Sequence, residues 1–201
     1  LRELLDAVHV RGAFDLAGLS FGGSVITSVA AKYPDRVRSL IYMDPAFRTQ
    51  GSLTGLESTP WAWHIVTAIL DERHWADDQL GDFLHPERFP DWPDRYRAQL
   101  RYRGFRRARL SELTSNLEAD QLDEEQVVGR HPRPVLAIWG KEDRNVPFDL
   151  SATFLAVMPG ARLVAVEDAG HLPQWEHPEV VNQAIVTDRK STRLNSSHSQ
   201  Q

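Results

Sequence analysis

Gly18-Leu19-Ser20-Phe21-Gly22-Gly23 lies between a short apolar run, Ala13-Phe14-Asp15-Leu16-Ala17, and a segment of helical rhythm from Phe21 to Tyr33. In that segment Val25, Ile26, Val29 and Ala30 mark a buried face, and Pro34 ends it because the residue before a proline disfavours the α region. A serine with a glycine two residues away on either side, at a strand-to-helix turn, has the setting a strained nucleophilic hydroxyl needs. Gly18 and Gly22 would let strand and helix approach around a sharp turn, while the helix start offers backbone N–H groups to a developing oxyanion. As a bare pattern G-x-S-x-G arises often by chance, and the bland reading of Ser20 is a helix cap. Its surroundings decide between the two.

Upstream, Leu1, Leu4, Leu5 and Val8 recur at helical spacing and Gly12 offers a stop. Downstream, Val37 to Met43 reads as a second strand closed by Asp44-Pro45. From about Phe47 to Arg130, tryptophan, proline and charge mix, with helical patches and no clear strand. Regularity returns at Pro134-Val135-Leu136-Ala137-Ile138-Trp139, a continuous apolar run of the kind covered on both faces of a sheet. A helix from about Phe148 to Met158, a Pro159-Gly160 turn, the strand Arg162 to Val166 and a last helix opened by Pro178 complete the order. Strand, helix, strand, long insertion, strand, helix, strand, helix predicts a parallel α/β sheet with an inserted subdomain.

The base and acid that would activate Ser20 should follow it in the order Ser, Asp, His, each just after a strand. Gly140-Lys141-Glu142-Asp143 follows the strand at 135–139, and Glu167-Asp168-Ala169-Gly170-His171 follows the strand at 162–166. In a parallel sheet all three loops leave the carboxyl edge, so residues distant in sequence can converge there. Two alternatives for the acid stay open: Glu142 is adjacent to Asp143, and Asp44 ends an earlier strand, where it can instead organise the turn into the insertion.

GLSFGG, WGKEDRNVP and DAGHLPQWEHPE together resemble the α/β-hydrolase superfamily in its capped, esterase-like form, over about Leu1 to Val186. The resemblance implies a partial α/β-hydrolase fold: the four C-terminal strands of a parallel sheet, helices on both faces, and a mainly helical cap. Its segments would be 1–46 and 131–187 for the core and 47–130 for the cap. It implies Ser20 as nucleophile, His171 as general base and then acid, Asp143 as the carboxylate orienting His171, and the backbone N–H of Phe21 as one oxyanion donor. The second donor, and four further strands, would precede Leu1, leaving the strand at Phe14 to Ala17 as an unpaired apolar edge and this chain with low activity or none. The activity implied is hydrolysis of a small, largely apolar ester or related carbonyl compound through an acyl-enzyme. Carbon–carbon bond hydrolysis, aminopeptidase and perhydrolase chemistry use the same triad, and a non-catalytic binding member of the fold is the alternative of another class.

A chain of 201 residues with 41% hydrophobic content can bury one core. A net charge of −5 gives no reason to expect nucleic acid or an anionic membrane as partner, so a small molecule is expected. With no cysteine there is no disulfide or thiolate site, and His9, His64, His74, His85, His131 and His177 show no metal-binding spacing. Neither metal nor organic cofactor is expected. Seven arginines between Arg95 and Arg109 could suggest a nucleic-acid stripe, but Asp91, Asp94, Glu112 and Glu118 flank them, so an ion-paired helix face is expected. Trp61, Trp63, Trp75 and Trp92 either line a pocket under the cap or join its helices. No apolar run approaches the roughly 18 to 20 residues that span a bilayer, and a cytoplasmic location is the default, with a signal peptide upstream compatible. The oligomeric state is left open.

The segment 188–201, DRKSTRLNSSHSQQ, is polar and aperiodic and by composition reads as disorder. Its first eleven residues equal the in-frame translation of a common sequencing adapter, so a non-native tail is expected. With no initiating Met at position 1, that tail points to a sequence cut at both ends.

Overall fold

The computed structural model describes residues 2–46, 72–105, 107–108 and 121–198. Helix α1 (Arg2–Ala7) precedes strand β1 (Phe14–Leu19), helix α2 (Phe21–Lys32) and strand β2 (Val37–Met43). Of the insertion, α3 (Glu72–Asp78) and α4 (Trp92–Gln99) are described, together with 3-10 turns at Gln79–Asp82 and Pro86–Arg88. Then come α5 (Leu122–Gly129), β3 (Val135–Gly140), α6 (Leu150–Val157), β4 (Ala161–Val166), the single turn α7 (Pro173–Glu176) and α8 (Pro178–His198). The four strands form one sheet in the order β1-β2-β3-β4, and every neighbouring pair is parallel.

The continuous apolar run at β3 is buried at all six positions because each face meets a different layer. Alternation sorts the side chains. Leu40 and Tyr42 of β2 join Val135, Ala137 and Trp139 of β3 on one face, packed with Ile26, Ala30, Val128 and Phe154 of the helices. Ile41, Leu136 and Ile138 turn to the other face, against Val166, Val181 and Ala184. Phe154 lies edge-on to Tyr42, with ring centroids 4.9 Å apart, and the Tyr42 hydroxyl is 2.9 Å from Thr27 Oγ1 within the core. The indole N–H of Trp139 donates to the Val146 carbonyl at 2.9 Å, so its polar edge is satisfied while the ring is fully buried.

Helix α5 falls inside the span expected to form the cap, yet Val128 is fully buried in the core beneath α2 and α6. It acts as the crossover that returns the chain from the end of β2 to the start of β3, where Leu40 registers with Val135. β1 occupies one edge and pairs, within the described sheet, with β2 alone. The polar tail that reads as disorder by composition instead continues the last helix, since α8 runs through to His198. Val180 to His198 contains neither proline nor glycine, and once a helix is nucleated each further residue adds a hydrogen bond. Among the described residues no helix is long and apolar enough to cross a membrane.

Candidate active site

Each strand of the parallel sheet delivers one chemically capable residue to the same edge. Ser20 follows β1, Asp44 follows β2, Asp143 lies three residues beyond β3, and His171 lies five beyond β4. Ser20 has φ 50° and ψ −120°, a conformation that costs a non-glycine residue of order 1–3 kcal/mol. The turn is held by backbone bonds on both sides: Ser20 N–H donates to Met43 O at 2.9 Å, while Ser20 O accepts from Gly23 N–H at 2.8 Å and Ala46 N–H at 3.0 Å. The Ser24 hydroxyl also donates to the Ala46 carbonyl.

The glycines divide differently from the expectation. A Cβ at Gly18 would overlap the Gly22 carbonyl, and one at Gly23 would lie 2.7 Å from Pro45 Cβ. A Cβ at Gly22 meets none of the described residues, so the close approach is made by Gly18 and Gly23 and not by the expected pair. Phe21 opens α2, which leaves its N–H without an i−4 partner and near the Ser20 turn.

Asp143 and His171 are brought together: His171 Nδ1 lies 2.8 Å from Asp143 Oδ2, and both side chains are buried. Asp143 Oδ1 accepts the N–H groups of Asn145 at 2.8 Å and Val146 at 3.0 Å, so three donors surround this carboxylate. Where His171 donates from Nδ1 to this carboxylate, Nε2 is the ring nitrogen left without a proton. Among the described residues no hydrogen bond joins Ser20 Oγ to His171. Glu142, the neighbouring candidate acid, instead accepts the Ala169 N–H at 3.1 Å. Asp44 is fully buried and accepts the Gly140 N–H at 2.8 Å.

One carboxylate was not foreseen. Glu176 Oε1 accepts the N–H groups of Leu84 at 2.9 Å and His85 at 3.0 Å, and its Oε2 accepts that of Gly170 at 2.6 Å. It thereby bonds the insertion to the loop that carries His171. The same short stretch of insertion is tied down elsewhere: His171 N–H donates to Asp82 O at 2.8 Å, and Asn145 Nδ2 donates to Asp82 Oδ1 at 2.7 Å. A Cβ at Gly170 would sit 2.7 Å from Leu84 N, so only glycine admits this approach. At the rim, His85 Nε2 lies 2.8 Å from Asp168 Oδ1; that hydrogen bond lowers the Asp168 pKa and raises that of His85. An acidic residue in the apolar setting of Leu172-Pro173-Gln174-Trp175-Glu176 was the available signal, though two of its three partners lie 91 and 92 positions away.

Trp92 packs edge-on to Phe83 and Trp175, with centroids 5.1 and 5.0 Å apart, and so joins the insertion to α7. Arg95 pairs with Asp91, and Arg97 with Asp94 and Asp77, as an ion-paired helix face requires. Trp61, Trp63, Arg106 and Arg109 lie outside the described residues.

The family model described as "Alpha/beta hydrolase family" matches residues 1–184. The chain is 28% identical over 187 residues to 2-hydroxymuconate semialdehyde hydrolase of Pseudomonas putida, covering 88% of this chain and 62% of that one. It is 25% identical over 179 residues to Lipase 1 of Psychrobacter immobilis, covering 88% and 55%. A solved hydrolase structure from Pseudomonas aeruginosa superimposes with a TM-score of 0.73 at 27% identity, covering 92% of this chain and 68% of that one. The chain thus spans little more than half the length of these two curated relatives.

Proposed function

The chain belongs to the alpha/beta hydrolase family, and on that premise we propose that Ser20, His171 and Asp143 hydrolyse a small, largely apolar ester or related carbonyl substrate through an acyl-enzyme. The observation that carries the reading is the buried Asp143–His171 hydrogen bond at the edge where the strained Ser20 turn stands. Ser20 Oγ attacks the carbonyl carbon while His171 Nε2 takes its proton. The new imidazolium is stabilised by Asp143, and the carbonyl oxygen, now negative, is received by the Phe21 N–H. His171 returns the proton to the leaving group as the carbonyl reforms, and a water attacks the acyl-enzyme by the same sequence in reverse. Asp143 stays ionised throughout.

Carbon–carbon bond hydrolysis on the same three residues is the second reading, favoured by the likeness to 2-hydroxymuconate semialdehyde hydrolase. The test is labelling with a fluorophosphonate, in this chain and in a version extended upstream to the length of its relatives. In the extended version an adduct on Ser20 that disappears in His171→Ala is expected; no adduct there, or one indifferent to His171→Ala, overturns the proposal. A panel of p-nitrophenyl esters and ring-cleavage diketones then separates the two chemistries.

A further inference from the structure

Asp44 is not used by the relay just described, yet it is fully buried beside it. It sits at φ 42°, directly after β2, and its Oδ1 accepts the Gly140 N–H. Its other oxygen, Oδ2, is buried and has no hydrogen-bond donor among the described residues. The carboxyl groups of Asp44 and Asp143 and the His171 ring place atoms within 4.8 Å of one another. The charged or titratable groups that face Asp44 are Asp143 from the loop after β3, His171 from the loop after β4, and Glu176 from α7.

Two buried carboxylates this close cannot both ionise freely, and the hydrogen bonds determine which one does. Asp143 has three donors, all favouring its anion, whereas Asp44 has one. A neutral Asp44 would also gain an O–H, and Oδ2 is the oxygen left without a donor. Asp143 Oδ2 accepts one bond, from His171, and has a lone pair to spare.

We propose that Asp44 is a neutral carboxylic acid whose Oδ2–H donates to Asp143, which makes it a positioning residue for the acid of the relay. Burial first, and the Asp143 charge second, hold the Asp44 carboxyl well above the usual carboxylate range, in agreement with that assignment. The bond supplies Asp143 with a fourth donor and fixes the carboxylate plane against which His171 is aligned. It also spreads the Asp143 charge, so that the imidazolium formed during the reaction is stabilised without being trapped. The functional consequence rests on the serine-hydrolase reading; the protonation state does not.

The test is infrared spectroscopy of the whole chain at neutral pH, combined with NMR titration of the His171 ring. A neutral carboxylic-acid C=O band that shifts in deuterium oxide and is absent from Asp44→Asn is expected. Asparagine keeps both hydrogen bonds, accepting from Gly140 and donating to Asp143, so the His171 midpoint should stay in place in that variant. If Asp44 were ionised, the same substitution would remove a neighbouring negative charge and lower that midpoint by about one to three units. Absence of the band, its persistence in Asp44→Asn, or that fall in midpoint overturns the proposal. Should Asp44→Asn not fold, Asp143→Asn serves in its place: it replaces the acceptor, and an Asp44 band unmoved by it likewise overturns the pairing. A failure of fluorophosphonate to label Ser20 would refute the hydrolase reading and leave the Asp44 band where it is.

Discussion

Replacing Glu176 by alanine removes the acceptor of three backbone N–H groups at once. Gly170 N–H is buried, and leaving it without an acceptor costs about 1–3 kcal/mol. The N–H groups of Leu84 and His85 are only part-buried, so water can replace the carboxylate there, and each loses about 0.5–1.5 kcal/mol. The sum is about 2–6 kcal/mol, a large share of the roughly 5–15 kcal/mol that holds a domain together. With a urea slope of about 2 kcal/mol/M, a central loss of about 4 kcal/mol moves the unfolding midpoint down by about 2 M. Glu176→Gln keeps one carbonyl oxygen and should lose roughly half as much. Amide hydrogen exchange locates the effect, since Leu84, His85 and Gly170 should exchange faster together. A loss below about 1 kcal/mol in Glu176→Ala, or no difference between the alanine and glutamine variants, would show that this carboxylate does not hold the two segments together.

Gly18→Ala places a Cβ against the Gly22 and Gly23 backbone on the helix side of the turn and should cost at least about 1–3 kcal/mol, whereas Gly22→Ala, in helix α2, should gain up to about 1 kcal/mol; equal unfolding midpoints would contradict this. Ser20→Gly relieves a strained φ of 50° and should raise stability by about 0.5–2 kcal/mol after the extra entropy of unfolded glycine, while abolishing fluorophosphonate labelling; a lower melting temperature counts against it. Because the folded pKa of Asp44 is raised, the unfolded chain releases this proton first as pH rises. Its contribution is therefore fully present below the ordinary carboxylate range and is lost between that range and the raised folded value. Asp44→Asn should then grow more stable relative to the parent from acid to neutral pH, and parallel stability curves would refute the sign.

The sheet was legible because its signal is local. The apolar run at 37–43 and the strand found there coincide, and β3 extends the expected strand by one residue. A strand buried on both faces has no choice of register between a wet and a dry side, so composition alone marks it. The convergence of Asp143 and His171 was legible from their order after successive strands, and Asp143 does meet His171. Contacts between segments far apart were not. Nothing in the neighbourhood of Glu176 names Leu84 as its partner, and nothing near α5 says that a helix at the end of a tryptophan-rich insertion belongs to the core. Both are set by the crossover that carries the chain from one end of the sheet back to the other. Gly22 follows the same rule: a motif gives spacing, and which glycine faces another backbone is set by how the helix packs on the strand end.

The anchoring of residues 82–85 onto the loop that carries His171 also sets splice points for chimeras. Such a chimera would exchange the insertion for one from a relative. A graft that reroutes the backbone at 82–85 would break the main-chain bonds to His171 and Glu176, and one that replaces Asp82 would also break its side-chain bond to Asn145, so exchanging the insertion would disturb the loop that carries His171. Grafts that leave 82–85 in place, and exchange only what lies on either side, should keep the Asp143–His171 pair as it stands.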